Sequence, residues 1–119
     1  MGIQRLQPVS GETDWMKTTP IITKFSTINS TYETAVNVTG KGILTGIAGT
    51  SRYENTAVYT FVEIIVDGTT LITDLRVNSL NNGSVGIPMN IRFNNSLKVN
   101  VRSTAGGYTV EATITYVLV

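Results

Sequence analysis

From Tyr32 onward the chain is written in short runs of alternating apolar and polar residues, each closed by Gly, Asn or Asp. A period of two puts every second side chain on one face of an extended strand, whereas an amphipathic helix needs apolar residues three and four apart. No stretch sustains the helical spacing, so the pattern predicts an all-β sandwich or barrel. The closing stretch SLKVNVRSTAGGYTVEATITYVLV shows the rule. Leu97, Val99 and Val101 alternate with Lys98, Asn100 and Arg102. After Gly106-Gly107, Tyr108, Val110, Ala112, Ile114, Tyr116 and Leu118 alternate with Thr109, Glu111, Thr113 and Thr115. This reads as a β-hairpin with one buried face.

The strongest local signal is AVYTFVEIIVDGTTLITDLRV, where Asp67-Gly68 separates two apolar runs as a tight hairpin turn does. On its first run Val58, Val62, Ile64 and Val66 share one face, and Tyr59, Phe61 and Ile65 share the other with Glu63. A strand apolar on both faces is either central between two layers or pressed against another subunit. In YETAVNVTG, Ala35 is out of phase with Val36 and Val38. In KGILTGIAG, Gly42, Gly46 and Gly49 predict bulges or close backbone approach. IPMNIRF turns Ile87, Met89, Ile91 and Phe93 inward and Asn90 and Arg92 outward, and Asn94-Asn95 supplies a turn in which Asn tolerates the left-handed region. Residues 32–119 therefore hold about seven or eight strands in one domain.

Charged residues make up 14% of the chain against roughly 25% in an average protein, and the net charge is +1. Such a surface has no global field to draw in nucleic acid or an anionic membrane, so neither is expected as a partner. Histidine and cysteine are both absent, which removes Ser-His-Asp and Cys-His nucleophilic systems, disulfides, and the usual zinc and copper ligand sets. A Glu63/Asp74 carboxylate pair is the remaining acid/base candidate; a turn Asp beside a solvated or paired Glu is the preferred reading. No phosphate loop or calcium loop has its required spacing. No enzymatic activity and no cofactor are expected.

Residues 1–31 differ in composition. They carry Pro8, Pro20 and the sole Trp, with little alternation, and read as an extended N-terminal arm ahead of a domain at 32–119. Leu6, Trp15, Met16, Ile21 and Ile22 are its apolar attachment candidates; the arm packs along its own domain or docks on a neighbouring subunit. Arg52, Tyr53 and Asn81 occupy polar loops and form a candidate recognition set for a host-surface glycan or protein. Arg92, Lys98 and Arg102 fall on the polar faces of successive strands and suggest a small basic docking face, weighed against a solvated one. No apolar stretch of signal-peptide length opens the sequence, which predicts a product that is not exported by that route.

Four segments together carry a resemblance: NVTGKGILTGIAG, FVEIIVDGTTL, IRFNNSLKVNVRS and the terminal ATITYVLV. They resemble small all-β structural proteins of tailed bacteriophages and prophages, of head-decoration, neck, tail or fibre-associated type, over about residues 34–119. The matching positions are Gly40, Gly42, Asp67, Gly68, Phe93, Ser96, Leu97, Lys98 and Val99. The resemblance implies a single jelly-roll-like antiparallel β-sandwich and self-association, often as a trimer. It also implies attachment to other virion proteins, with the virion as location after synthesis in the host cytoplasm, and it supplies no catalytic residues. A host-surface recognition module acting through the loop tips is the alternative.

Overall fold

The computed structural model describes residues 19–51, 58–77 and 85–119. Eight strands run in order: β1 (Ile21–Thr27), β2 (Glu33–Thr39), β3 (Gly42–Ser51), β4 (Thr60–Val66), β5 (Thr69–Arg76), β6 (Val85–Phe93), β7 (Ser96–Ser103) and β8 (Val110–Leu118). They form two antiparallel four-stranded sheets, β1-β8-β3-β6 and β2-β7-β4-β5. The pairs β1/β8, β2/β7, β3/β6 and β4/β5 are nested. The chain is thus one long two-stranded ribbon, with β4 and β5 at its tip, rolled so that successive pairs fall in alternate sheets. That is a jelly roll.

Only β4 and β5 are neighbours both in sequence and in a sheet. Their turn takes the expected form, with positive φ at Asp67 (51°) as well as at Gly68 (82°). The Asp67 carboxylate has a second use. It accepts the backbone N–H groups of Asn95 (2.6 Å), Ser96 (3.0 Å) and Asn94 (3.1 Å), while the Asp67 N–H donates to the Ser96 carbonyl (3.0 Å). The ribbon's tip is thereby fastened to the β6–β7 crossover. No positive φ is needed at Asn94 or Asn95, because this link passes between sheets and does not close a hairpin.

The expected hairpin over residues 97–118 does not form. β7 lies in the second sheet and β8 in the first; alternation fixes which face of a strand is apolar but not which strand it pairs with. Leu97, Val99 and Val101 share one core cluster with Ala112 and Ile114 of the other sheet, all at 0–1% exposure. The boundary of the arm also moves. Residues 21–27 form β1, which pairs with β8 from Ile21↔Tyr116 to Thr27↔Val110; the sandwich therefore begins inside the segment read as arm. Thr23 and Phe25 are half-buried on its inner side and Thr27 is buried, a sparse apolar signal that fits an edge strand.

The glycine-rich strand β3 behaves as read. A bulge lies between Leu44 and Gly46, and Gly42 and Gly49 are close approaches. A side chain at Gly49 would begin 2.6 Å from the backbone of Val77, a fully buried residue whose N–H bonds the Thr60 carbonyl. Ile87, Met89, Ile91 and Phe93 do turn inward on β6. Of these only Phe93 is fully enclosed, because β6 and β5 are the free edges on one side of the sandwich.

Candidate functional site

The outer face of the second sheet carries the densest side-chain network among the described residues. β4 turns Phe61, Glu63 and Ile65 outward, all half-buried. Among the described residues no third layer covers Phe61. Instead the Arg102 guanidinium from β7 lies 4.7 Å over its ring and 5.4 Å from the ring of Tyr32. Tyr59 stacks on Phe61 with centroids 6.3 Å apart, and Arg76 lies 4.7 Å over Tyr59. The two-faced character of this strand is therefore met within the chain, by long cationic side chains whose stems and planes cover the rings.

Asp74 organises the other end of this ladder. It sits at φ 55° in β5, where the register with β4 is irregular on both sides of Ile64. Its Oδ1 accepts Arg102 Nε (3.2 Å) and Nη2 (3.0 Å) and the Tyr32 hydroxyl (2.5 Å), and its N–H donates back to that hydroxyl (2.9 Å). Tyr32, just before β2, is thus tied across the sheet to its opposite edge. Burial and then the Asp74 bond raise the Tyr32 hydroxyl pKa. The Tyr32 hydroxyl and then Arg102 hold the Asp74 carboxyl below its ordinary 3.8. Beside this bracket, Thr34 donates to Asn100 (2.9 Å), Asn100 to Glu63 (2.9 Å) and Thr73 to Glu63 (3.3 Å). Glu63 is engaged by neutral donors and Asp74 by a cation and a phenol, an arrangement that holds strands in place.

These carboxylates set a pH dependence. Asp67, held below its ordinary 3.8 by the N–H groups of Asn95, Ser96 and Asn94, and Asp74 both have depressed folded-state pKa values. Their stabilisation is present above the unfolded value and is lost as pH falls through the folded one. The denaturant midpoint should fall between about pH 5 and about pH 2. Asp67→Asn and Asp74→Asn should each lower the midpoint at neutral pH and flatten that acid slope; an unchanged slope in both variants would rule out this origin.

The residues read from sequence are not all brought together. Arg92 is exposed on β6 of the first sheet, whereas Lys98 and Arg102 lie on β7 of the second, and Arg102 is committed to Asp74. The expected basic face is divided because β6 and β7, though consecutive, lie in different sheets. Ile21 (36% exposed) and Ile22 (65% exposed) stand at the start of edge strand β1. Leu6, Trp15, Met16, Arg52, Tyr53 and Asn81 lie outside the described residues. Tyr32 was missed by the sequence reading: its partners are 42 and 70 positions away, and no local motif announces them.

A second surface lies at the free edges. Leu71 (54% exposed) and Ile72 (39% exposed) are on β5, where Ile72 pairs with the fully buried Ile64. Leu75 and, on β6, Ile87, Met89 and Ile91 are only partly buried against the core. Interior-facing apolar side chains of both sheets thus reach solvent along this side. Among the described residues no group of three or more acidic side chains is placed to hold a metal, and no helix is long and apolar enough to cross a membrane.

No protein-family model and no curated protein matches the chain. Similar solved structures include T=1 particles derived from infectious bursal virus, 18% identical over 83% of this chain and 31% of that one, with TM-score 0.45. Another is the infectious bursal disease virus VP2 subviral particle, 17% identical over 83% and 33% respectively, with TM-score 0.46. The chain spans about a third of the length of those chains.

Proposed function

We propose that this chain is a non-enzymatic structural protein of a virus particle, of the tailed-phage type its sequence resembles. In this reading it self-associates, as a trimer, and attaches to the head, neck or tail. The observation that carries the reading is the β5–β6 side, which no described residue covers. A sandwich that leaves Leu71 and Ile72 in water, above a row of half-covered interior side chains, has its apolar surface concentrated where a second copy covers it. The jelly roll is compatible with this role but does not select it, since the same fold carries lectin and cupin functions.

The test is solution mass by light scattering across a wide concentration range, on the full chain and on Ile72→Asp. The expected result is a species of three chain masses that the aspartate converts to a monomer that still melts cooperatively. A wild-type chain that stays monomeric at every concentration removes the self-association.

A further inference from the structure

The edge strands are β1 and β6 in the first sheet, β2 and β5 in the second. An edge presents unpaired backbone N–H and carbonyl groups to any other strand, and natural sheets blunt it with charge, proline or a bulge. β1 has Lys24 at its centre, β6 contains Pro88, and β2 has a bulge between Thr34 and Val36. β5 opens with Thr69, Thr70, Leu71, Ile72 and Thr73, all exposed, with neither charge nor proline among them. All but Leu71 are β-branched and favour strands. On an open edge such a run is a template for aggregation.

What blunts β5 is its backbone. The ladder with β4 steps from Val62↔Leu75 to Ile64↔Ile72 and then to Ile65↔Thr70, so β5 has one residue too many at Thr73–Asp74 and another at Leu71. A bulge bends its strand and leaves the extra residue out of the ladder. Two in succession leave no flat edge for a further strand to follow. The first of them depends on Asp74, whose φ of 55° a non-glycine residue keeps only where its surroundings hold it. Those surroundings come from across the sheet. The Tyr32 hydroxyl accepts the Asp74 N–H (2.9 Å), so this donor is spent over the outer face and not presented along the edge, and it donates to Asp74 Oδ1 (2.5 Å). Arg102 Nη2 holds the same oxygen (3.0 Å). We infer that the Tyr32–Asp74 bracket is an edge guard, holding β5 in a bulged form that does not pair with a strand of a second copy. The inference is independent of the oligomer proposed above, because docking through side chains on the β5–β6 side needs no strand pairing.

Tyr32→Phe in the full-length chain removes both hydroxyl bonds and keeps the ring that Arg102 overlies. Asp74 is then free to return to the extended region and β5 to straighten. Well below its melting temperature this variant should form sedimentable, thioflavin T-positive material with a low-frequency amide I band, several-fold above wild type. Asp74→Val should do the same, since a β-branched side chain is barred from the left-handed region. Asp74→Asn is the matched control. It loses the ion pair, but asparagine tolerates that region and still offers Tyr32 an oxygen, so it should be less stable yet stay soluble. Leu71→Lys added to Tyr32→Phe puts a charge on the exposed run and should restore wild-type solubility; it cannot repair material that aggregates by unfolding. A Tyr32→Phe or Asp74→Val chain as soluble as wild type overturns the inference. So does equal aggregation of Asp74→Asn, or a failure of Leu71→Lys to rescue, because each traces the loss to lower stability and not to an opened edge.

Discussion

Phe93→Ala should remove about 3–5 kcal/mol of stability, the range seen when a large buried aromatic is truncated. For a domain of this size that is a fall of about 12–20 °C in melting temperature. Phe93 is 1% exposed and among the largest fully buried side chains of the sandwich. It closes β6 just before the chain crosses to the second sheet, and its ring fills the space above Gly42. Two losses therefore coincide: the ring's own burial, and a cavity whose floor is bare backbone of β3. Because β6 is an edge strand, partial collapse of that edge is the only relaxation open to it, so the midpoint of chemical denaturation should fall with little change in slope. A loss below about 1 kcal/mol would mean the ring is not seated as described.

Gly42→Ala should be as damaging for the opposite reason. A β-carbon there would begin 2.1 Å from the Val117 carbonyl oxygen and 2.5 Å from Cζ of Phe93. The ring can swing aside, but the carbonyl belongs to β8, the strand paired to β3 through Gly42↔Leu118 and Ile43↔Val117. Relief requires β3 and β8 to part at that end, so the cost should reach or pass the roughly 1–3 kcal/mol usual for overpacking. Soluble yield and thermal melts read the effect directly. The double variant Gly42→Ala/Phe93→Ala makes the argument sharper. If the ring were the obstacle, its removal would rescue the alanine. With the carbonyl as the obstacle the double variant is no more stable than either single one.

What could be read ahead of the structure divides along one physical line. Asp67-Gly68 was legible because a tight turn is decided by the residues in it, and the inward set on β6 was legible because a two-residue period needs no knowledge of the partner strand. Pairing was not. Leu97–Val101 and Val110–Ile114 alternate as a hairpin would, yet they lie in different sheets, since nothing local distinguishes a turn within a sheet from a crossover between sheets. The same gap divided Arg92 from Lys98 and Arg102. On the outer face, Arg102 could be seen as a charge on a polar face but not as a lid on Phe61. Asp74 could be seen as an acid but not as a residue at φ 55° tied to Tyr32. Their geometry depends on β2, β4, β5 and β7 being side by side, which is a property of the whole roll. Ile21 and Ile22 were read as attachment candidates of the arm, and the structure shows that they begin a strand of the sandwich itself.

The nested pairing also bears on how the protein is made. β8 is synthesised after the other seven strands, yet in its sheet it lies between β1 and β3. While the ribosome is still at work, β1 has no partner at all and β3 has one side open, for a wait set by elongation at about 5–20 residues per second. The nascent chain therefore spends that interval with strand edges available to any other extended peptide. Crowded polysomes are where this protein is most exposed to mispairing, and a chaperone that shields bare edges has its greatest use just before Val110–Leu118 emerges.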